Sequence, residues 1–378
     1  MPGAQSDGEP GAAKLGGGNR GRDAGVRRLL ALVVGDETVA STRHRVLGYL
    51  DALRGAGIRP EVRFEPAYPA GPISFRLARL LELLAATRPV GADLVLVHRR
   101  TFPPLFARRL ARSGAPMVWD LDDALDLPPP SVADRPGLRR RYRRNFEATA
   151  EVADLAVCGN LEIAGRLPHE RFEILPTPVD TRRFHPDALR RTEEPVLGWV
   201  GHGDNLSFLE SLVEPLREVA RRVPGLRLIV VADRPPRLDG VEVEFRRWTL
   251  ESELSCFEGI RVGLMPLQDT PWTRAKCSFK LLQYMALGMP VVASPVGMNR
   301  EVVSDGATGL TADGPQEWAD AMTRLLVDVE LAHRLAQEGR RLVERRFDVA
   351  VLAPRFVSVL EHVLDARVPS EGPAREQG

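Results

Sequence analysis

The feature that most constrains the fold is a regular alternation of short apolar runs with longer stretches of helical spacing. Residues 29–34 and 93–98 are nearly continuous apolar runs, typical of strands that are covered on both faces. Residues 42–56, 75–86, 206–223 and 250–258 carry apolar side chains at helical spacing. Strands that alternate with helices predict βαβ units and a mostly parallel sheet. The predicted fold class is therefore α/β.

The alternation stops once, at residues 176–186 (PTPVDTRRFHP), where proline content rises and periodicity fails. Because 378 residues fit two to three domains, we interpret this segment as the linker between two domains. The predicted organisation is an N-terminal domain at 27–180, a C-terminal domain at 181–350 and a last helix at 351–366 that packs back on the N-terminal domain. Residues 1–26 and 367–378 are predicted to be a disordered leader and a disordered tail.

Composition excludes several classes of protein. A net charge of +1 argues against a general nucleic-acid binder. Three cysteines without a CxxC spacing indicate neither a disulfide framework nor a cysteine metal site. No apolar run approaches the ~18 residues of a membrane-spanning helix. We therefore expect a cytoplasmic protein without a transmembrane segment.

Two open parallel sheets predict a ligand in the cleft between their carboxyl edges. The sequence Gly201-His202-Gly203-Asp204-Asn205 follows a predicted strand and precedes a predicted helix. Its glycines let the backbone approach a ligand, and free N–H groups at a helix start favour phosphate. A plain turn capped by Asp204 or Asn205 is the alternative. A dinucleotide site is disfavoured, because Leu206 stands where a third glycine is required.

Lysine is rare in this chain, which makes two lysines informative. Of 52 Lys and Arg residues only three are lysine, and two of these, Lys276 and Lys280, lie four positions apart. With Arg274 they surround the start of a helix predicted at 278–287, where the helix dipole disfavours cations. A bound diphosphate would explain the cluster, and a solvated basic helix end is the alternative.

Three further patterns each have a functional and a structural interpretation. Asp120-Leu121-Asp122-Asp123 suits a divalent metal on a diphosphate or a catalytic carboxylate, whereas Asp122 or Asp123 capping a turn is the structural interpretation. His98 ends a strand and is either a base or a structural residue, and Arg43 either clamps a phosphate or lies on a solvated helix face. The run from Arg139 to Arg144 suits anionic lipid or an acidic acceptor, or is a solvated helix face.

The C-terminal half resembles a known family. The segments YMALGMPVVAS and VGMNREVVSDGATGL are similar to the nucleotide-sugar-binding half of glycosyltransferase family 4, the glycosyl transferases group 1 with the GT-B fold. ILPTPVDTRRFHP resembles the interdomain segment of that family, and GIRVGLMPL resembles the strand before its donor loop. ASTRHRVLGYL and VWDLDDAL fit a bacterial branch, here with a donor motif of the KCxFKxLQYMA type. The resemblance extends from about Leu29 to Leu364.

This resemblance implies two Rossmann-like domains that face each other across a cleft and an enzyme that transfers a sugar with retention at the anomeric carbon. It implies catalytic roles for Asp122, which aligns with a histidine of the family, and for Asp120 and His98. The implied diphosphate-binding residues are Lys276, Lys280, Arg274, Gly201, Gly203 and Arg43. The residues implied to bind the nucleotide or sugar are Gln283, Ser278, Phe279, His202 and Asn205. We expect no metal and no cofactor other than the nucleotide sugar, which is a co-substrate.

The sequence also departs from the family. Two glutamates that are common there align with Ala275 and Gln283, and basic residues after the first strand of the C-terminal domain are missing. A nucleotide-sugar epimerase, a dinucleotide oxidoreductase and a non-catalytic sugar-nucleotide-binding protein therefore remain alternatives. The acceptor is left open as a small molecule, a glycan or a lipid-linked molecule, in cell-envelope or natural-product glycosylation. Contact through Arg139 to Arg144 would make the protein peripheral at the inner face of the membrane.

Overall fold

The computed structural model of the protein describes residues 27–66, 72–190 and 192–366. The predicted leader at 1–26 and tail at 367–378 lie outside these residues. Within the described ranges, no helix is both long enough and apolar enough to cross a membrane.

The N-terminal half forms a parallel sheet of six strands in the order β2-β1-β3-β4-β5-β6. Its elements are β1 (Arg27–Val33), α1 (Ala40–Arg45), α2 (Leu50–Gly55), β2 (Ile58–Phe64), α3 (Pro72–Ala86), β3 (Leu94–His98), α4 (Pro104–Ala111), β4 (Met117–Leu121), α5 (Leu138–Val152), β5 (Leu155–Cys158), α6 (Leu161–Ala164) and β6 (Phe172–Ile174). The central strands β3 and β4 are short and buried, as the apolar runs predict, whereas the edge strands β2 and β6 are partly exposed.

The C-terminal half forms a second parallel sheet of six strands, in the order β12-β11-β10-β7-β8-β9. Its elements are β7 (Val196–Val200), α7 (Leu206–Glu210), α8 (Val213–Arg222), β8 (Arg227–Ala232), β9 (Val243–Arg247), β10 (Val262–Met265), α9 (Pro271–Arg274), α10 (Phe279–Ala286), β11 (Val291–Ala293), α11 (Asn299–Val302), β12 (Leu310–Thr311), α12 (Pro315–Val327), α13 (Val329–Arg346) and α14 (Val349–Ala366). The predicted α/β class with two parallel-sheet domains is confirmed.

Both sheets change winding direction at their first strand. The chain leaves β1 towards β2 and then returns to β3 on its other side, and β7 is likewise flanked by β8 and β10. Ligands of open α/β sheets bind at such a reversal, outside the carboxyl ends of the strands. The two carboxyl edges therefore position the candidate site.

Each face of the N-terminal sheet has its own core. Leu83 of α3, Leu110 of α4 and Phe146 of α5 pack on one face. Helices α2 and α14 cover the other face, where Tyr49 stacks on Phe356 with ring centroids 4.6 Å apart. The last helix thus completes the core of the N-terminal domain, after the chain has crossed between the domains for a second time near Asp348.

Three helices predicted from periodicity are shorter or absent. The stretch 42–56 is divided into α1 and α2 by a 3₁₀ turn at Leu47–Tyr49. The stretch 206–223 is divided into α7 and α8, because Pro215 has no N–H to donate to the preceding turn. The predicted helix at 250–258 is a loop with a 3₁₀ turn at Ser255–Phe257, since Glu253 in the middle of it is buried against cations.

Candidate functional site

A cavity of about 710 Å³ lies between the carboxyl edges of the two sheets. The N-terminal domain contributes Ser41, Arg43, Arg99, Asp122 and Asp123 to its lining. The C-terminal domain contributes Gly201, His202, Asn205, Lys276, Ser278, Phe279 and Lys280. The structure thus brings together residues that the sequence places in both domains.

Two wall residues adopt a backbone conformation that L-residues rarely take. Arg99 has φ 53° and Ser278 has φ 50°. Side-chain bonds hold both: Arg99 Nη2 donates to Asp123 Oδ2 at 2.8 Å, and Ser278 Oγ lies 2.7 Å from Asn299 Oδ1. Left-handed non-glycine residues cluster at functional sites, because the surrounding structure must over-determine them.

The two lysines predicted from their rarity both lie on the cavity wall. Lys276 Nζ stands 3.6 Å above the ring centroid of Trp272, and Lys280 Nζ donates to Gln283 Oε1 at 2.8 Å. Burial lowers the pKa of both ammonium groups below its ordinary value. An anion in the cavity would oppose that shift, because an opposite charge favours the protonated form.

Arg274 does not join these lysines, which corrects the predicted cluster. It is the last residue of α9, it is exposed, and its Nε donates to Asp269 Oδ1 at 2.5 Å. Helix α10 begins only after the left-handed residue Ser278, so the backbone turns between Arg274 and Lys280 and separates their side chains. Arg274 is not part of the cavity lining.

Gln283 also differs from the prediction, because its side chain is fully buried and lies outside the cavity lining. Its Oε1 holds Lys280, whereas its Nε2 has no hydrogen-bond partner. Ala275, the other departure from the family pattern, is fully buried as well. Gln283 therefore positions a lysine of the cavity wall.

Only one of the two glycines in the turn after β7 lines the cavity. Gly201 lines it, and a Cβ there would lie 2.5 Å from the ring of Trp199. Gly203 is outside the lining, since its N–H donates to Asp233 Oδ1 at 2.5 Å and its carbonyl accepts from Arg234. The residue that caps the turn is His202, whose Nδ1 accepts from the Asp204 N–H at 3.2 Å. Asn205 does not cap, and its Oδ1 has no hydrogen-bond partner.

His98 and Asp120 lie beneath the cavity, where they are 0% and 1% exposed. Asp120 Oδ1 accepts from Arg45 Nη2 at 2.6 Å, and its Oδ2 accepts from His98 Nδ1 at 2.6 Å. Burial alone would raise the pKa of Asp120, but Arg45 and the bonds from His98 and Arg45 outweigh it and lower the pKa to about 2. Neither group lines the cavity, which differs from the catalytic position predicted for them.

Ser41 connects this buried pair to the cavity, and sequence reasoning did not select it. With Asp120 ionised, the Nδ1 of His98 carries a proton, and the Nε2 of a neutral imidazole is then an acceptor. Ser41 Oγ lies 3.2 Å from that Nε2 and lines the cavity, so its hydroxyl is placed to donate to a neutral His98. The Ser41 oxygen is left as an acceptor, and Arg99 Nη1 donates to it at 3.3 Å. No sequence pattern marks this arrangement, because its members come from α1, β3 and β4, which lie far apart in the sequence.

Asp122 is a carboxylate of the cavity wall whose Oδ1 lies 3.5 Å from Arg99 Nε. Asp123 pairs with Arg99 and also accepts from the Ala124 N–H at 3.0 Å, which is the turn-capping interpretation. Asp120 is therefore paired with Arg45, whereas Asp122 and Asp123 both face Arg99. Over the described part of the chain, no group of three or more His, Cys, Asp and Glu side chains is arranged to hold a metal.

Arg43 lines the cavity but its guanidinium bridges the domains. Its Nη2 lies 2.6 Å from Glu253 Oε1, and its Nη1 donates to the Glu37 carbonyl at 2.6 Å. Glu253 also binds His44 Nε2 at 3.1 Å and Arg183 Nη1 at 2.8 Å. Burial would raise the pKa of Glu253, but His44 and Arg43 outweigh it and hold that pKa well below its ordinary value. Arg43 is thus already paired, which differs from the predicted phosphate clamp.

The domains also touch beside the cavity, at Gly159 and Cys277. A Cβ on Gly159 would lie 2.3 Å from Cys277 Sγ, so only glycine fits this approach. Cys277 Sγ donates to the Asp122 carbonyl at 3.2 Å, and Asn160 Nδ2 donates to the Ala275 carbonyl at 3.1 Å. These contacts join the end of β5 to the segment that carries Lys276.

The C-terminal domain matches a known protein family. Residues 194–328 match the model of a family described as Glycosyl transferases group 1. The chain is 30% identical over 222 residues to a D-inositol 3-phosphate glycosyltransferase of Nocardia farcinica, which covers 50% of this chain and 48% of that protein. The chain thus spans about half the length of the curated relatives it matches.

Solved structures are similar over most of the chain. A sucrose-phosphate synthase from Thermosynechococcus elongatus superposes with a TM-score of 0.67 at 18% identity, covering 90% of this chain and 100% of that one. Anabaena HepE in complex with UDP-glucose gives a TM-score of 0.62 at 15% identity, covering 88% of this chain and 99% of that one. The chain therefore has the GT-B fold of glycosyltransferases, with a C-terminal domain that is similar to Glycosyl transferases group 1.

Proposed function

We propose that this protein is a glycosyltransferase that moves a sugar from a nucleotide-diphosphate sugar to an acceptor hydroxyl. One observation carries the proposal: a single interdomain cavity receives Lys276 and Lys280 from one domain and Asp122 from the other. Two partly buried cations suit a diphosphate, and a carboxylate across the cleft suits an acceptor hydroxyl. The family match over residues 194–328 includes both lysines, which supports this assignment.

The donor lies against the C-terminal domain in this proposal. Lys276 and Lys280 bind the diphosphate, and Ser278 and Phe279 lie between them on the same wall. Asn205, with an unpartnered Oδ1, is a ready hydrogen-bond partner for the nucleotide or the sugar. The HepE structure contains UDP-glucose, so a uridine nucleotide is the first donor to test on this chain.

The chemistry is the replacement of one bond to the anomeric carbon by another. The acceptor oxygen bonds to that carbon, the carbon–oxygen bond to the diphosphate breaks, and the diphosphate leaves with the electron pair. Fixed cations stabilise the charge that develops on the leaving group, so the proposed reaction needs no metal. Asp122 orients the acceptor hydroxyl or accepts its proton. Retention of configuration is also part of this proposal and rests on the resemblance to family 4.

The name of a curated relative indicates which acceptor should be tested first. Because a relative carries the name D-inositol 3-phosphate glycosyltransferase, inositol phosphate is the first acceptor to test. Other small molecules, glycans and lipid-linked acceptors form the rest of the panel.

Nucleotide binding tests the proposal directly. UDP, GDP and their sugars are titrated by calorimetry into the intact protein and into Lys280→Ala. We expect roughly tenfold weaker binding in the variant, because a charge-assisted bond to phosphate is lost. Arg274→Ala is the matched control, since this nearby cation lies outside the cavity lining and should bind normally. Absence of binding by any nucleotide sugar or nucleoside diphosphate would contradict the proposal.

A non-catalytic nucleotide-sugar-binding protein is the second candidate. The observation in its favour is that Ala275 and Gln283 are both buried, so neither presents a side chain to the donor. Tight donor binding without transfer to any acceptor and without donor hydrolysis would favour this second function.

A further inference from the structure

Helix α3 has the reverse of the usual orientation of a surface helix. Leu77, Leu80, Leu81 and Leu84 recur at the spacing of one helix face, and they are 57%, 45%, 58% and 37% exposed. Such a stripe normally faces the core of a globular domain. In this protein the leucine stripe of α3 faces outward.

The charged residues of α3 fix this orientation from the inner side. Arg79 Nη1 lies 3.1 Å from Oε1 of Glu65, the residue after β2, and Glu82 pairs with Arg100, whose side chains are 8% and 6% exposed. Leu83 is buried in the core beside them. Turning the leucine stripe inward would break both ion pairs, so its exposure is built into the packing.

The neighbouring helices add exposed arginine to the same side of the sheet. Helices α4 and α5 follow α3 on that face, and Leu105 of α4 is 79% exposed. The exposed arginines include Arg76, Arg108, Arg109, Arg139, Arg140 and Arg144. The three helices carry three carboxylates: Glu82 is in its ion pair, Glu147 is bound by Arg143, and Glu151 is exposed near the end of α5. We call the leucine stripe together with these six arginines the α3–α5 face.

We propose that the α3–α5 face docks on the surface of an anionic lipid bilayer. An apolar stripe enters the boundary between headgroups and acyl chains, while arginines around it meet lipid phosphates. A second copy of this chain fits less well, because a two-fold contact would bring the arginines of both copies together. The helices that carry this face also reach the candidate site: Arg79 of α3 and Arg141 of α5 line a depression of about 210 Å³ together with Arg99, which belongs to the main cavity as well.

Vesicle sedimentation tests this proposal independently of any sugar transfer. The intact protein is mixed with vesicles of phosphatidylcholine alone or of phosphatidylcholine and phosphatidylglycerol in equal parts, at low and at raised salt. We expect binding only to the anionic vesicles, and weaker binding at raised salt because salt screens the arginines. Leu80→Glu/Leu81→Glu and Arg139→Glu/Arg140→Glu should each lower the vesicle affinity by roughly tenfold or more.

Matched controls come from the other domain. Val327→Glu/Val329→Glu changes exposed apolar residues, Arg334→Glu/Arg345→Glu changes exposed arginines of α13, and both should bind like the intact protein. Circular dichroism melting should be similar for all four variants, since the altered side chains are exposed. The proposal is overturned if the intact protein does not sediment with anionic vesicles, or if the α3 and α5 variants bind as well as the controls. It is also overturned if Leu80→Glu/Leu81→Glu turns a dimer into a monomer by light scattering without any vesicle binding.

Discussion

Glu253 Oε1 lies 2.6 Å from Arg43 Nη2, and this contact joins residues 210 positions apart across the two domains. Arg43 belongs to α1 of the N-terminal domain, and Glu253 belongs to a loop of the C-terminal domain. The carboxylate is 2% exposed and also meets His44 and Arg183. One buried anion therefore holds three basic groups at the edge of the candidate site.

Replacing that anion should destabilise the protein. In Glu253→Ala, Arg43 and Arg183 lose their buried partner, and we expect a loss of about 3 kcal/mol in the free energy of unfolding. Urea denaturation measures this loss. Glu218→Ala is the control, because Glu218 pairs with Arg221 and Arg222 at the surface and its loss should change little. Equal stability of Glu253→Ala and the intact protein would contradict the bridging role.

Asp120 predicts a specific loss of stability in acid. Its pKa is lowered from 3.8 to about 2 in the folded protein, so the unfolded chain binds the proton first as the pH falls. The stabilisation is therefore present above about pH 4 and disappears as the pH falls towards about 2. Denaturation between these pH values should show a shallower pH dependence in Asp120→Asn than in the intact protein. Identical slopes in the two proteins would show that Asp120 is not the group responsible.

Ser41 is predicted to accept a hydrogen bond from a substrate hydroxyl. Ser41→Ala should lower kcat/KM by roughly fivefold, because one neutral hydrogen bond is worth about 1 kcal/mol. A deoxy analogue that lacks the partner hydroxyl should react equally with both proteins. Ser207→Ala, at an exposed position of α7, should behave like the intact protein.

Nitrogen NMR of His98 tests the same arrangement without substrate. We expect the proton on Nδ1, where Asp120 accepts it, and an unprotonated Nε2 at neutral pH. A proton on Nε2 instead would make Ser41 a donor towards the cavity and would refute the prediction.

Replacing Asp122 should lower turnover and leave donor binding unchanged. Asp122→Asn keeps the size of the side chain but removes its charge, so we expect unchanged nucleotide affinity and about 100-fold lower turnover. Calorimetry and a product assay measure the two quantities. Unchanged turnover would assign Asp122 a structural role, and strict loss of activity with EDTA would revive the metal interpretation of the Asp120 to Asp123 segment.

Most strands of both sheets were predictable, because short continuous apolar runs are typical of strands that are covered on both faces. The spatial arrangement of the site residues was harder to predict from the sequence. Spacing grouped Arg274 with Lys276 and Lys280, but Arg274 pairs with Asp269 and lies outside the cavity lining. Glu253 was not predicted as a site residue, because the apolar spacing at 250–258 predicted a helix. The segment is instead a loop that buries the carboxylate of Glu253.

Some features have no signal in a single sequence. Strand β12 has two residues, too few to show a period. The bond between Ser41 and His98 joins helix α1 to the end of strand β3, which only the winding of the sheet brings together. Periodicity predicted helix α3 correctly, but it cannot tell which side faces the domain, because the ion pairs of Arg79 and Glu82 decide that.

Because α14 packs on the first sheet, it determines the order in which the two domains complete their folding. Leu352, Phe356 and Leu360 fill the core beside β1, although they are made after the whole C-terminal sheet. During synthesis the C-terminal half has all its strands before the N-terminal half has its last helix. The domain that begins the chain is therefore the last to be completed, and until then the apolar side of its sheet that receives α14 is open to other partners.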